Sequence, residues 1–328
     1  MIHDGGPMNR ATRTVNVTIL ILLVTTTVSG VLAFAVGSPG PARWTTGVHG
    51  VSGLALLLLL PAKARIARRG LRRPGRSRKV IGWVFAALVA AAVGSGVLHA
   101  VWGWGPVVAG VLPMQIHVGA AVGVLLLLVA HLVVHRRRRL LRRTDVDRRR
   151  ALLGSGLVAG SVLLGTVTPG RERRATGSHE IVDVAAMPVT QWLFDPVPRL
   201  PQAGVRTPAG DVDLAGLPQR TVRAVLDCTG GWYSEQEWRG VAVADLGLPR
   251  GASVEVVSAT GYRRRFPAAE AGSLLLATHL AGRRLSAGHG APVRLVAPGR
   301  RGFWWVKWVV SVEVVDEPWW WQPPFPLQ

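Results

Sequence analysis

The chain has 328 residues, of which 49% are hydrophobic, and a formal net charge of +21 at pH 7. Residues 1–168 hold 21 of the 39 basic residues but only 3 of the 18 acidic ones, so the charge lies between long apolar runs. No basic stripe interleaved with aromatic residues occurs, and we therefore expect no nucleic-acid partner. The composition instead predicts a membrane-spanning region over 1–168, a polar linker over 169–190 and a soluble domain over 191–328.

Five apolar segments precede the linker. The first four are near the roughly 20 residues that cross a bilayer as a helix, whereas the fifth is shorter and rich in Gly and Ser. The fold class expected for this half is an all-α transmembrane bundle of five helices. The segments are 14–36, 44–62, 80–102, 112–134 and 151–168.

The loops between these segments predict the orientation. The loop 63–79 carries nine Lys and Arg without an acid, and 136–150 carries nine Arg against two Asp. By the positive-inside rule both loops are cytoplasmic. Five crossings then give a multi-pass protein of the cell membrane with its C-terminal domain extracytoplasmic; without the fifth, that domain stays inside. Arg149-Arg150 before the fifth segment resembles a twin-arginine export signal, although a plain cytoplasmic anchor of arginines fits equally well.

Histidines occur inside the spans, where such residues are costly and usually functional. His49, His99 and His117 share one depth near the outer face, and His131 follows His117 by 14 residues, about 21 Å deeper on nearly the same face. Stacked pairs of this spacing resemble those of four-helix membrane cytochromes b, which implies haem b. Because no histidine lies opposite His131, we expect one outer haem ligated by His117 and either His49 or His99. A second haem on His131 stays open, as does a haem-free bundle whose histidines bond to one another or to carbonyls.

The soluble half shows short apolar runs separated by Gly and Pro turns. This pattern predicts a mixed α+β, β-rich domain. The expected strands are 221–226, 253–258, 292–297 and 304–315, with 273–280 as either a strand or a short helix.

One cysteine, Cys228, is the only one in the chain, so it has no internal disulfide partner. It could be a small buried apolar side chain, a catalytic thiol or a single thiolate on a soft metal centre. Gly230 and Gly231 follow it and allow a backbone or a bulky ligand to come close.

The sequence 226–233, LDCTGGWY, followed by WRGV at 238–241, resembles the metal-ligand segment of the sulfite-oxidase-fold molybdopterin oxidoreductases. The resemblance implies that the Cys228 thiolate binds molybdenum beside the dithiolene sulfurs of molybdopterin. It also implies a sulfite-oxidase-type fold for the soluble domain.

Two further segments extend the resemblance. His289 with Arg294 five residues later, and then Trp305, Val306 and Lys307, are similar to the pterin-binding loop of that family. Cationic side chains suit the phosphate at the end of molybdopterin, although a His and an Arg on a loop are often ordinary surface residues.

The third segment is 260–267. Here the resemblance makes Thr260 a cofactor contact and gives Tyr262 and Arg263 a catalytic role in the substrate pocket. An arginine there could attract an anionic substrate or the cofactor phosphate; a solvated arginine face is the alternative. The family's His- and Asn-bearing cofactor segment has no counterpart upstream of Cys228. Oligomeric state is not implied.

Together these features imply a membrane-bound molybdenum oxidoreductase. It would transfer an oxygen atom on a small oxyanion or sulfoxide substrate and pass electrons through haem b to or from quinone or another carrier. The alternatives are a haem-binding membrane electron carrier whose soluble domain is a metal-free docking module, and a membrane-anchored cysteine hydrolase. The tail 318–325, with three consecutive Trp, is either a cap on the soluble core or an anchor in the membrane interface.

Overall fold

The structure is a computed structural model that describes residues 10–71, 76–103, 105, 110–134, 154, 156–163, 173–190, 196–200 and 204–323. The chain divides into two compact units. The first comprises residues 1–34 and 39–177, and the second comprises 178–328 with the short segment 35–38.

The first unit contains four long helices. They are α1 (Arg10–Ala35), α2 (Pro39–Leu71), α3 (Arg76–Trp102) and α4 (Pro113–Val134). All four are long and apolar enough to cross a membrane, which confirms the first four predicted segments. The fifth segment is helical at residues 154 and 156–163, so its crossing stays a prediction.

Large apolar side chains lie on the outside of these helices. Ile21 is 56% exposed, Ile81 58% and Leu126 67%, which suits lipid rather than water. Polar side chains also meet between helices, a kind of contact that is typical of packing inside a bilayer. The Thr26 hydroxyl donates to Ser52 Oγ (2.8 Å) between α1 and α2.

The second unit is built from eleven described strands in two sheets. They are β1 (His179–Glu180), β2 (Gly204–Thr207), β3 (Gly210–Asp213), β4 (Arg220–Cys228), β5 (Trp232–Ala242), β6 (Ser253–Ser258), β7 (Arg263–Pro267), β8 (Leu275–Leu280), β9 (Arg283–Arg284), β10 (Arg294–Val296) and β11 (Val309–Val315). In the first sheet, β5 pairs with β4 on one edge and with β1 and β8 on the other, and β8 continues to β9 and β10. The second sheet has the order β3-β2-β11-β6-β7.

These strands confirm that the soluble domain is rich in β-structure. The predicted strand 253–258 has the bounds of β6, and 273–280 is strand β8 rather than a helix. The helical turns in the described part of this unit are 3₁₀ rather than α. The predicted strand 304–315 begins only at Val309, because Trp308 has a φ of 55° that a strand cannot accommodate.

The start of the soluble unit also differs from the expected boundary. Ser178 begins it, inside the stretch 169–190 that was expected to be a linker, and β1 pairs in parallel with β5. The residues up to Thr190 therefore belong to the folded domain.

The Trp-rich tail lies against the edge strand β7. The Gln322 side chain accepts from the Arg265 N–H (3.0 Å) and donates to the Arg265 carbonyl (2.9 Å), and Arg264 Nη1 donates to the Pro323 carbonyl (2.6 Å). Part of the tail thus caps an edge that would otherwise expose unpaired backbone groups. The rings of Trp320 and Trp321 remain 62% and 69% exposed.

Candidate functional site

The lone cysteine lies at the end of β4, where the chain turns back into β5. Cys228 pairs with Trp232 across the hairpin, which leaves a three-residue loop. The Gly231 N–H donates to the Cys228 carbonyl (3.2 Å), and Gly231 has a φ of 85°, a left-handed conformation that favours glycine. The two glycines therefore permit a tight turn directly after the thiol.

The Cys228 sulfur is buried and has two polar neighbours. The residue is 8% exposed. Thr190 Oγ1 lies 3.1 Å from Sγ, and the Gly230 N–H donates to Sγ at 3.3 Å. Among the described residues no histidine or acid forms a hydrogen bond with this sulfur.

A buried ion pair fixes the residue before the cysteine. Asp227 accepts from the Ser178 hydroxyl (2.7 Å) and pairs with Arg301, and both charged side chains are under 10% exposed. Gly302, the residue after Arg301 in this ion pair, lies against the cysteine: a Cβ on Gly302 would lie 3.0 Å from Cys228 Cα. Only glycine allows this approach without displacing the backbone that carries the thiol.

A second arginine is buried without an acidic partner. Arg294 is 3% exposed, and its guanidinium carbon lies 5.6 Å from the centroid of the Trp238 ring and 5.9 Å from that of Trp305. Its Nη1 donates to the His289 carbonyl (3.1 Å), while Nε is buried with no hydrogen-bond partner in the described part of the chain. Burial lowers the pKa of Arg294 to about 10.

Lys307 adds a second cation to the site. Its Nζ donates to the carbonyls of Thr190 (2.7 Å) and Gly288 (2.9 Å). Burial, followed by the charge of Arg294, lowers the pKa of Lys307 to about 7. No acidic side chain among the described residues forms an ion pair with Arg294 or Lys307.

His289 lies beside these cations in its neutral form. Its Nε2–H donates to the Met187 carbonyl (3.2 Å), and its Nδ1 accepts from the Ser286 hydroxyl (2.8 Å). Burial, then the charges of Arg294 and Lys307, lower the pKa of His289 to about 4. The imidazole is therefore a hydrogen-bonding group rather than a third cation at neutral pH.

In the helical unit, two of the predicted histidines are brought together. The rings of His49 on α2 and His117 on α4 have centroids 5.8 Å apart and planes at 87°. Each Nδ1 lies against a carbonyl, that of Thr26 at 2.9 Å and that of Ala92 at 2.7 Å. Because a carbonyl only accepts, both Nδ1 atoms carry the proton, and the lone pair of each ring is on Nε2.

Glycines make room for both rings. A Cβ on Gly30 would lie 2.8 Å from the His49 ring, and one on Gly96 would lie 3.0 Å from that of His117. The third candidate, His99, has its Nε2 3.3 Å from the Gly177 carbonyl instead. His131 lies on α4, and its side chain is outside the described residues.

Comparison with known proteins now identifies the soluble unit. Residues 211–321 match the family model described as the oxidoreductase molybdopterin binding domain. This part of the chain is a molybdopterin-dependent oxidoreductase domain. The chain is also similar to a crystal structure of the sulfane dehydrogenase SoxCD from Paracoccus pantotrophus, with 28% identity over 32% of this chain and 33% of that one, at a TM-score of 0.30. The chain thus spans about a third of the length of that protein. No curated protein matches the sequence.

The residues present suit a molybdopterin. The Nε of Arg294 is buried with no hydrogen-bond partner among the described residues, and the ammonium of Lys307 lies in the same site, so the two form a cationic cradle. The phosphate of molybdopterin would fit such a cradle. The described residues contain no cluster of three or more His, Cys, Asp or Glu that could hold a metal ion.

The other predicted site residues have no hydrogen bond to the cysteine among the described residues. Trp305 stacks on Arg294, and the Val306 carbonyl accepts from the Leu295 N–H (2.8 Å), which holds the segment beside β10. Thr260 lies in the turn after β6, where its hydroxyl contacts Ser258 Oγ (3.1 Å). Neither Thr260 nor the substrate-pocket pair forms a hydrogen bond with Cys228 among the described residues.

Of the substrate-pocket pair, Tyr262 directly precedes β7 and Arg263 is its first residue. Arg263 is 59% exposed and pairs with Glu255 (3.3 Å). Arg264, which points the other way along the strand, is buried, and its Nε donates to the Tyr262 hydroxyl (2.6 Å). That hydroxyl donates to the Phe303 carbonyl (2.5 Å), and burial raises the pKa of Tyr262. Arg264 is therefore the arginine that neighbours Tyr262.

Sequence reasoning missed several residues at this site. Thr190 lay in a stretch without periodicity, and Ser178 lay in the expected linker. Asp227 was visible only as the neighbour of the cysteine. Arg301 offered one signal, its place in a Pro-Gly-Arg-Arg-Gly turn between two predicted strands.

Proposed function

We propose that the protein is a membrane-bound molybdenum enzyme that transfers an oxygen atom on a sulfite- or sulfoxide-type substrate outside the cytoplasm. It exchanges electrons with membrane quinone through one haem b. The observation that carries the proposal is a buried Arg294 and a half-buried Lys307 beside a single buried thiol, Cys228.

The residues at this centre have different proposed roles. When bound, the molybdenum cofactor supplies the two-electron redox chemistry and the exchangeable oxygen. Cys228 offers a soft thiolate ligand, which suits such a metal. Arg294 and Lys307 hold the anionic end of the cofactor, and neutral His289 adds a hydrogen-bonding group without further charge.

The surrounding side chains set access and polarity. Trp238 and Trp305 are 0% and 2% exposed, so the arginine between them is shielded from water and its charge acts through a low dielectric. The shielded charge therefore interacts more strongly with the anionic end of the cofactor that Arg294 is proposed to hold.

His49 and His117 are the proposed haem ligands. These two residues would hold the iron because their rings are neighbours, with centroids 5.8 Å apart. The Nδ1 bonds to carbonyls orient both rings, a role that outer hydrogen bonds commonly have at metal centres. His99 is then the histidine left for a peripheral contact, and a second haem on His131 has no support from described residues.

An apolar cavity next to His49 supports quinone as the partner. Its volume is about 490 Å³, within the range of small-molecule sites. It is lined by Leu22, Thr25, Val48, Val51, Ala55 and others, with Arg43 and Trp44 as the polar and amphipathic members. Gly47, Val48 and Val51 flank His49 in sequence, so a quinone bound here would lie near the proposed haem.

Two measurements on one purified sample test the proposal. We expect about one molybdenum per chain by elemental analysis and a haem b signal in the reduced-minus-oxidised spectrum. Cys228→Ser should abolish oxygen-atom transfer while the haem spectrum stays, and His117→Ala should remove the haem while molybdenum stays. Haem without molybdenum, in a host that makes the cofactor, would favour the metal-free electron carrier.

A separate experiment tests the proposed location of the C-terminal domain outside the cytoplasm. A reporter that fluoresces only in the cytoplasm, fused after Gln328, should stay dark.

A further inference from the structure

The segment 187–190, which we call the strap, reaches the cysteine through Thr190 and is held by a hydrogen bond at each end. The Met187 carbonyl accepts from His289 Nε2 (3.2 Å), and the Thr190 carbonyl accepts from Lys307 Nζ (2.7 Å). Between them Val189 packs directly on Gly288, where any Cβ would overlap the valine methyls. The strap is thus positioned by the same His and Lys that border the cofactor cradle.

The strap places one hydroxyl on the sulfur. Thr190 Oγ1 lies 3.1 Å from Cys228 Sγ, and either atom of a free thiol and hydroxyl pair could donate. A metal-bound thiolate has no proton, so in the loaded enzyme the hydroxyl must be the donor. With the Gly230 N–H at 3.3 Å, the sulfur then accepts two hydrogen bonds.

We infer that Thr190 is a positioning residue that tunes the molybdenum centre by donating a hydrogen bond to its sulfur ligand. This inference rests on the proposed function. A hydrogen bond to a ligand sulfur withdraws electron density from the metal–sulfur bond and stabilises the more reduced metal, which raises the reduction potential. Lys307 and His289 act on the potential through the strap as well as on the cofactor.

The substitution that separates this role from packing is Thr190→Val, which keeps the shape and removes the hydroxyl. Thr190→Ser restores the hydroxyl. The matched control is Thr278→Val, since Thr278 is also partly buried but its hydroxyl contacts His279 Nδ1 (2.8 Å). All variants are made in the full-length, molybdenum-loaded protein.

The readouts are the molybdenum midpoint potential from a redox titration and the EPR spectrum of its paramagnetic state. We expect Thr190→Val to lower the potential and shift the EPR g values, and Thr190→Ser and Thr278→Val to match the wild type. If Thr190→Val does not load molybdenum, Thr190→Ala gives the same comparison with less volume. If a Thr190 variant without the hydroxyl contains molybdenum but keeps the wild-type potential and spectrum, this inference is wrong while the proposed function still stands. A wild type without molybdenum overturns the proposed function itself.

Discussion

Substitution of Arg301 should destabilise the soluble unit far more than the same substitution of its neighbour Arg300. Arg301 and Asp227 are 4% and 8% exposed, so Arg301→Met removes a cation that is paired with a buried carboxylate. Breaking a buried pair in this way costs about 3–5 kcal/mol. For a unit of this size, at about 2–4 °C per kcal/mol, the unfolding midpoint should fall by about 6 to 20 °C.

Arg300→Met is the matched control. Arg300 pairs with Glu270 (2.8 Å), but these side chains are 27% and 37% exposed, and the guanidinium also lies over Trp304 at 5.1 Å from the ring centroid. A partly exposed pair and a cation–π contact together contribute about 1–2 kcal/mol. The same substitution one residue away should therefore lower the midpoint much less.

The assay is thermal unfolding of full-length detergent-solubilised protein, followed by near-UV circular dichroism of the buried tryptophans. A double variant, Arg301→Met with Asp227→Leu, removes both ions and should recover much of the loss, because neither charge is left buried alone. The single variant should also bind molybdenum less well, since Asp227 precedes the metal ligand. A midpoint for Arg301→Met no lower than that for Arg300→Met would refute the reasoning.

Two further predictions concern the cation cradle and the membrane cavity. In cofactor-free protein, Lys307 has a pKa of about 7 when folded and 10.5 when unfolded, so the unfolded state binds more protons between these values and stability should rise with pH across that window. Lys307→Met should flatten this rise in a series of unfolding midpoints; an unchanged slope would exclude Lys307 as its source. Gly47 and Gly50 both lie on α2 with open space at Cβ, but only Gly47 lines the cavity. Gly47→Leu should slow haem reduction by added quinol while dithionite reduction stays normal, and Gly50→Leu should leave both unchanged; equal effects would argue against quinone in this cavity.

The helices could be predicted from the sequence because the length and hydrophobicity of a single segment identify a membrane-spanning helix. Four apolar runs of membrane length are four helices, and their ends differ by only a few residues from the prediction at most positions. Segment α2 is the exception: it continues to Leu71, well into the basic stretch, because long basic side chains are tolerated in a helix that leaves the bilayer. Depth along the helices could not decide between His49 and His99, since it does not give the rotation of each helix about its axis.

The soluble site was harder to predict because it is assembled from distant segments. Thr190 meets Cys228 across 38 residues, and Ser178 meets Asp227 across 49. No periodicity marks such contacts. The three arginines after Tyr262 illustrate a second limit: they lie on a strand, where alternation sends Arg264 inward and leaves Arg263 in a surface ion pair.

The surroundings of the sulfur also bear on the choice between a nucleophile and a metal ligand. A catalytic thiol needs a general base that accepts its proton. The two polar contacts of the Cys228 sulfur in the described structure are a backbone N–H, which only donates, and a neutral hydroxyl, which is a poor base. The described contacts of this sulfur therefore favour the proposed role of Cys228 as a metal ligand over that of a nucleophile.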